Sequence, residues 1–187
     1  MKKISKMFAA AMVAAALFFA KSAQAQTVPA NAFHFDIGAE TGISQGTIKI
    51  ASNYYVGATG RLSYGLNDRL ALILTSGYYN FLGNHYHASM GMIPVKAGLK
   101  YSIWNGFYVS AEAGAAIELQ NFAVFHDLDN GIPHTTKLLF SPGAGYAVKN
   151  WDFSFRYENF SGGDHYYSKN AVNYGLLGLR IAHGFGK

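Results

Sequence analysis

The chain has 187 residues, with 15 Lys and Arg against 10 Asp and Glu, a formal net charge of +5, half of its residues hydrophobic, 16% aromatic and no cysteine. The basic excess is local: Lys2, Lys3, Lys6 and Lys21 fall within residues 1–25, where no acid occurs, so the rest of the chain carries eleven basic residues against ten acids. Composition therefore excludes a nucleic-acid partner recognised by charge, as well as disulfides and thiolate metal sites.

Residues 1–25 have the three-part pattern of a secretory signal peptide. Basic Lys2, Lys3 and Lys6 precede the apolar run Met7 to Ala20, and the small-residue sequence Ala23-Gln24-Ala25 follows, with cleavage expected after Ala25. The 14-residue apolar run is shorter than the roughly 20 residues of a spanning helix, and no later stretch is apolar enough to span as one. The expected organisation is a signal peptide over 1–25 and one domain over 26–187.

From Phe33 onward the chain alternates at period 2, the mark of strands with one oily and one polar face. Phe33, Phe35, Ile37, Ala39 and Ile43 alternate with His34, Asp36, Gly38, Glu40 and Gly42; Tyr54, Val56, Ala58, Leu62 and Tyr64 with Tyr55, Gly57, Thr59, Arg61 and Ser63. Leu70–Tyr79 is apolar on both faces at its start. In the next stretch Ile93, Val95, Ala97, Leu99, Tyr101 and Ile103 oppose Lys96, Gly98, Lys100 and Ser102. Gly106–Leu119 sets Phe107, Val109, Ala111, Ala113, Ala115 and Ile117 against Tyr108, Ser110, Glu112, Gly114, Ala116 and Glu118. Phe140, Ala144, Tyr146 and Val148 oppose Ser141, Gly143 and Gly145; Trp151, Phe153, Phe155 and Tyr157 oppose Ser154, Arg156 and Glu158; Leu177, Leu179, Ile181 and Phe185 oppose Tyr174, Gly178, Arg180 and Ala182. Stretches of about a dozen residues are twice the usual strand of ~5–6 and suit a tilted membrane-spanning strand.

Short turns at Leu66–Arg69, Trp104–Gly106 and Lys149–Asn150 alternate with long loops near 44–53, 81–91, 121–137 and 160–170. The pattern predicts an all-β fold: an eight-stranded antiparallel up-and-down transmembrane β-barrel with short periplasmic turns and longer extracellular loops. A soluble lipocalin-like barrel would reverse the polarity of the faces. Here the charged face is the inner one, because bulky apolar and aromatic residues line the other. Tyr54, Tyr78, Trp104, Phe107, Trp151, Phe153 and Phe185 are placed for two interfacial girdles.

The inward face carries Asp36, Glu40, Glu112, Glu118 and Glu158 against Arg61, Lys96, Lys100, Arg156 and Arg180. An eight-stranded barrel has room for side chains only, so a matched structural network and a plugged lumen are expected. Glu112 and Glu118 are expected to partner Lys96 and Lys100 on the preceding strand; a catalytic carboxylate pair is the alternative. Inward glycines leave room for the long side chains.

The segments LNDRLAL, IPVKAGLKYSIWNGFYVSAEAG, FSFRYENF and YGLLGLRIAHGF resemble the small outer-membrane β-barrel family of OmpX and OmpA-barrel type, over essentially the whole chain after residue 25. The resemblance implies a Gram-negative cell outer membrane as location and outer-membrane lipid as partner. It also implies recognition by the barrel-assembly machinery through an aromatic residue closing the last strand, here Phe185, followed by Gly186 and Lys187. The role it implies is structural or surface-interacting, through loops that contact an extracellular ligand or host-cell surface, without a cofactor and without catalysis.

Two loop motifs suggest other chemistry. His85 and His87, with His126 and the acids Asp127 and Asp129, would make a zinc site if their loops converged; polar loop decoration is the alternative for these and for His134. DHYYSKNA is similar to the lipid A deacylase barrels, which would make Ser168 a nucleophile, His165 its base and Asn170 a neighbour. That family has His and Ser two apart, whereas three apart puts them on opposite faces of a regular strand. His126, Asp127 and Ser89 supply the residue types used by palmitoyl-transferring barrels, without a motif. The expected role is thus a structural or surface-interaction barrel, with lipid A modification second and a small pore third.

Overall fold

The structure, a computed structural model, describes residues 28–84, 89–119, 136–162 and 173–185. Eight strands, β1 (Phe33–Gly46), β2 (Tyr54–Gly65), β3 (Leu70–Leu82), β4 (Met90–Trp104), β5 (Phe107–Glu118), β6 (Thr136–Val148), β7 (Trp151–Ser161) and β8 (Tyr174–Phe185), follow one another around a closed antiparallel barrel. β8 closes on β1 with Glu40 opposite Arg180. The expected fold is the fold found.

Strands run further toward the long loops than hydropathy indicated. Thr136 and Lys137, expected in a loop, belong to β6, and β1 continues to Gly46. Backbone pairing persists where the outer face no longer alternates in polarity, so the apolar pattern marks only the middle of each strand. Past β1, a single 3-10 turn over Thr47–Ile50 folds inward, burying Ile48 and Ala51 above the lumen.

Because successive side chains point to opposite sides, one parity class lines the lumen and the other forms the wall. Arg61 and Glu112 are 1% and 2% exposed, while Leu74, Leu179 and Ile181 are 50%, 58% and 51% exposed. A largely apolar outer face on a closed sheet, with every strand paired on both sides, suits hydrocarbon rather than water. Rings crowd the short-turn rim, where Phe33–Tyr64 and Phe107–Tyr146 lie 4.8 and 4.7 Å apart. Asn105 and Gly106, at φ 44° and 87°, close the β4–β5 hairpin, a backbone that Asn and Gly adopt readily.

Two prolines interrupt the ladder. Pairing of β3 with β4 skips Gly77 and Tyr78 opposite Ile93 and Pro94, and pairing of β6 with β7 skips Ser141 and Pro142 opposite Tyr157 and Glu158. On their other sides Pro94 and Pro142 pair without a gap. The missing N–H of each proline therefore points at the skipped seam, and the facing carbonyls of Gly77 and Tyr157 lose their ladder donor.

Candidate functional site

The inward parity class converges on the barrel axis and forms two zones. From the short-turn mouth to mid-height the lumen is ionic; toward the long loops it is apolar, with Glu118 and Lys137 at the loop end.

At the mouth, Lys100 Nζ donates to Asp152 Oδ2 at 2.9 Å, the Tyr108 hydroxyl donates to Asp152 Oδ1 at 2.6 Å, and the Lys100 ammonium lies 3.8 Å from the centre of the Tyr108 ring. Deeper, Arg61 faces Glu112 at 3.6 Å, with Thr75 between them: its hydroxyl accepts from Arg61 Nε at 3.1 Å and donates to Glu112 Oε1 at 2.5 Å. Thr59 plays the same part for Arg180, accepting from its Nε at 2.8 Å and donating to Glu40 Oε1 at 2.5 Å, while the other end of the guanidinium holds Asp36. Arg156 sits among three acids, with Nη1 at 3.4 Å from Glu40, 3.9 Å from Glu112 and 4.0 Å from Glu158. Lys96 pairs with Glu158, and the Tyr79 hydroxyl donates to Glu40 Oε2 at 2.9 Å.

Above this layer Tyr55, Tyr79, Phe81, Met90, Met92, Leu139, Phe160 and Leu176 fill the lumen with buried apolar atoms. The Tyr55 and Tyr79 rings lie 5.1 Å apart, and Phe160 stacks on Tyr174 at 4.9 Å. Glycine on the facing strand makes the large rings fit: a Cβ on Gly178 would meet the Tyr55 hydroxyl, and one on Gly57 the Tyr79 ring. At the loop end the Tyr174 hydroxyl donates to Glu118 at 2.6 Å, and Lys137 Nζ donates to the Gly162 carbonyl at 2.9 Å.

Asp36, Glu40, Arg61, Lys96, Glu112, Glu118, Arg156, Glu158 and Arg180 are all buried in the lumen, and Lys100 is mostly buried at its mouth. Glu112 and the two β4 lysines have partners other than those expected. Glu112 meets Arg61 and Arg156 in place of a β4 lysine, while Lys96 and Lys100 reach across the lumen to Glu158 and Asp152 on β7. A cylinder this narrow brings opposite walls within side-chain reach, so partners need not lie on neighbouring strands. Glu112 and Glu118 are six residues apart on one strand, about 20 Å at the usual rise; that separation removes them as a carboxylate pair acting on one bond.

Asp152 and Lys137 escaped the sequence reading although both are buried. Each lies two residues before an inward position, Ser154 or Leu139, so alternation carried one step further would have found them. With them the lumen holds six acids and six bases among the described residues.

Residues 1–25, His85, His87, His126, Asp127, Asp129, His134, His165, Ser168 and Asn170 lie outside the described residues. Ser89 lies within them, but its expected companions His126 and Asp127 do not.

No family model and no curated protein matches the chain. Solved structures do. The N-terminal β-barrel domain of Pseudomonas aeruginosa OprF superposes with a TM-score of 0.53 at 15% identity, covering 83% of this chain and 98% of its own. Ail, the attachment invasion locus protein of Yersinia pestis, superposes with a TM-score of 0.53 at 13% identity, covering 82% and 97%. The chain thus has the fold of small eight-stranded outer-membrane barrels.

Proposed function

We propose that the protein is an integral barrel of a Gram-negative outer membrane, exported by a signal peptide over 1–25 and inserted by the barrel-assembly machinery with Phe185 as its closing aromatic. Its lumen is plugged, and its work is structural or surface-interacting, done by long loops on the outer side that contact an extracellular ligand or cell surface. One observation supports this reading: inside an apolar wall, the described lumen side chains are a matched set of buried charges packed with an apolar layer. Such a core serves stability and leaves recognition to the loops.

Protease added outside intact cells should cut within 120–135 or 163–172 and leave the strands intact. Lipid A from cells with and without the protein should have identical mass spectra, and the protein in planar bilayers should pass no stable ion current. A lipid A acyl change abolished by Ser168→Ala would replace this reading with an enzyme, and steady currents would replace it with a pore.

A further inference from the structure

One arc of the short-turn rim differs from the rest. On the wall face of β8, His183 stands directly opposite Trp151, the first residue of β7. The imidazole meets the indole edge-on at 5.1 Å and the Phe185 ring edge-on at 4.9 Å. The β6–β7 turn is only Lys149–Asn150, and the Asn150 carbonyl accepts the Gly184 amide at 2.7 Å, which fastens the turn to β8 one residue from His183. Lys149 is exposed, in a left-handed conformation at φ 52°. Among the described residues no carboxylate pairs with it, since the neighbouring acid, Asp152, faces the lumen and is taken by Lys100 and Tyr108. The other turns lack this combination: Leu66–Arg69 sets Asp68 beside Arg69, and Trp104–Gly106 carries no charge.

We propose that Lys149, the Trp151 indole N–H and the His183 imidazole bind the phosphodiester of an anionic glycerophospholipid in the leaflet facing the short turns. The ammonium supplies charge, the two ring N–H groups supply directed donors, and the exposed Trp151 and Phe185 rings supply apolar surface for the acyl chains. A net-negative headgroup is favoured over a zwitterionic one because the arc is basic and, among the described residues, holds no acid facing the lipid. The inference rests on the membrane reading above.

The test uses the whole protein refolded into nanodiscs of equal phosphatidylglycerol and phosphatidylcholine, with lipids retained after gentle release counted by native mass spectrometry. Retention should favour phosphatidylglycerol. Lys149→Asn suits the left-handed backbone and removes the charge; combined with His183→Phe, which keeps the ring contacts, it should lower the preference at least fivefold, the factor equivalent to about 1 kcal/mol per surface lysine at an anionic leaflet. Should the double variant fail to fold, Lys149→Asn alone must show the drop. Equal retention of the two lipids by the unaltered protein, or an unchanged preference in the variant, overturns the site while the membrane reading stands. Failure to insert in any lipid overturns both.

Discussion

Replacing Lys96 by Met tests whether the lumen charges are held by one another. Lys96 and Glu158 are fully buried and in direct contact. Without the lysine, Glu158 keeps Arg156 at 4.0 Å and hydroxyls of Tyr79 and Ser141 at 3.2 and 3.3 Å. Removing one partner of a buried pair costs about 3–5 kcal/mol, chiefly through the charge left behind. The guanidinium that remains places Lys96→Met near the lower end, about 3 kcal/mol. Adding Glu158→Gln removes the orphaned charge and keeps the side-chain shape, and Arg156 still faces Glu40 and Glu112. The double variant should therefore recover most of the loss, with a coupling energy of about 2 kcal/mol. Urea unfolding from phosphatidylcholine vesicles, followed by fluorescence of the wall residues Trp104 and Trp151 and by folded migration on gels, measures both. Simple additivity of the two substitutions, or a single variant as stable as the parent, would refute the argument that these charges depend on each other.

The wall makes a second claim. Leu74→Arg, at mid-strand, should cost about 2–4 kcal/mol and Leu66→Arg, at the turn, about 0–1 kcal/mol, although the two leucines are similarly exposed, at 50% and 47%; equal losses in the same unfolding assay would mean that the wall does not sit in hydrocarbon. Pro142→Ala returns a backbone donor to the Tyr157 carbonyl and should stabilise the barrel by about 0.5–1.5 kcal/mol. Amide exchange along the β6–β7 seam should slow, and unchanged exchange would show that the proline is not what opens that ladder.

What was legible in the sequence followed from period 2. Parity alone assigned Asp36, Arg61, Glu112 and Arg180 to the lumen and Leu62, Leu99 and Leu179 to the wall, because a strand offers each side chain only two directions. Strand ends were less legible: Thr136 and Lys137 extend β6 beyond the apolar band, where nothing in the outer-face hydropathy records the pairing. Partner choice was not legible. Lys96 meets Glu158 across the lumen, 62 residues away in sequence, through barrel closure that no local spacing encodes.

Parity and pairing then divide the task of setting register. A slip of one residue between β1 and β8 would turn Arg180 into the lipid and bring Leu179 inside, so polarity forbids it. A slip of two keeps every face correct, and polarity is silent about it. In the observed register Arg180 stands opposite Glu40, flanked at two residues' distance by Gly38 and Gly42. A two-residue slip in either direction would put glycine across from the arginine and part it from Glu40, the acid it now stands opposite. On the neighbouring seam Asp36 stands opposite Arg61, with Gly57 across from Glu40, so the same slip there would again replace an opposite charge by an uncharged neighbour. The ionic core thus discriminates among registers that the oily wall accepts equally, which gives a structural reason for so many charges inside this barrel.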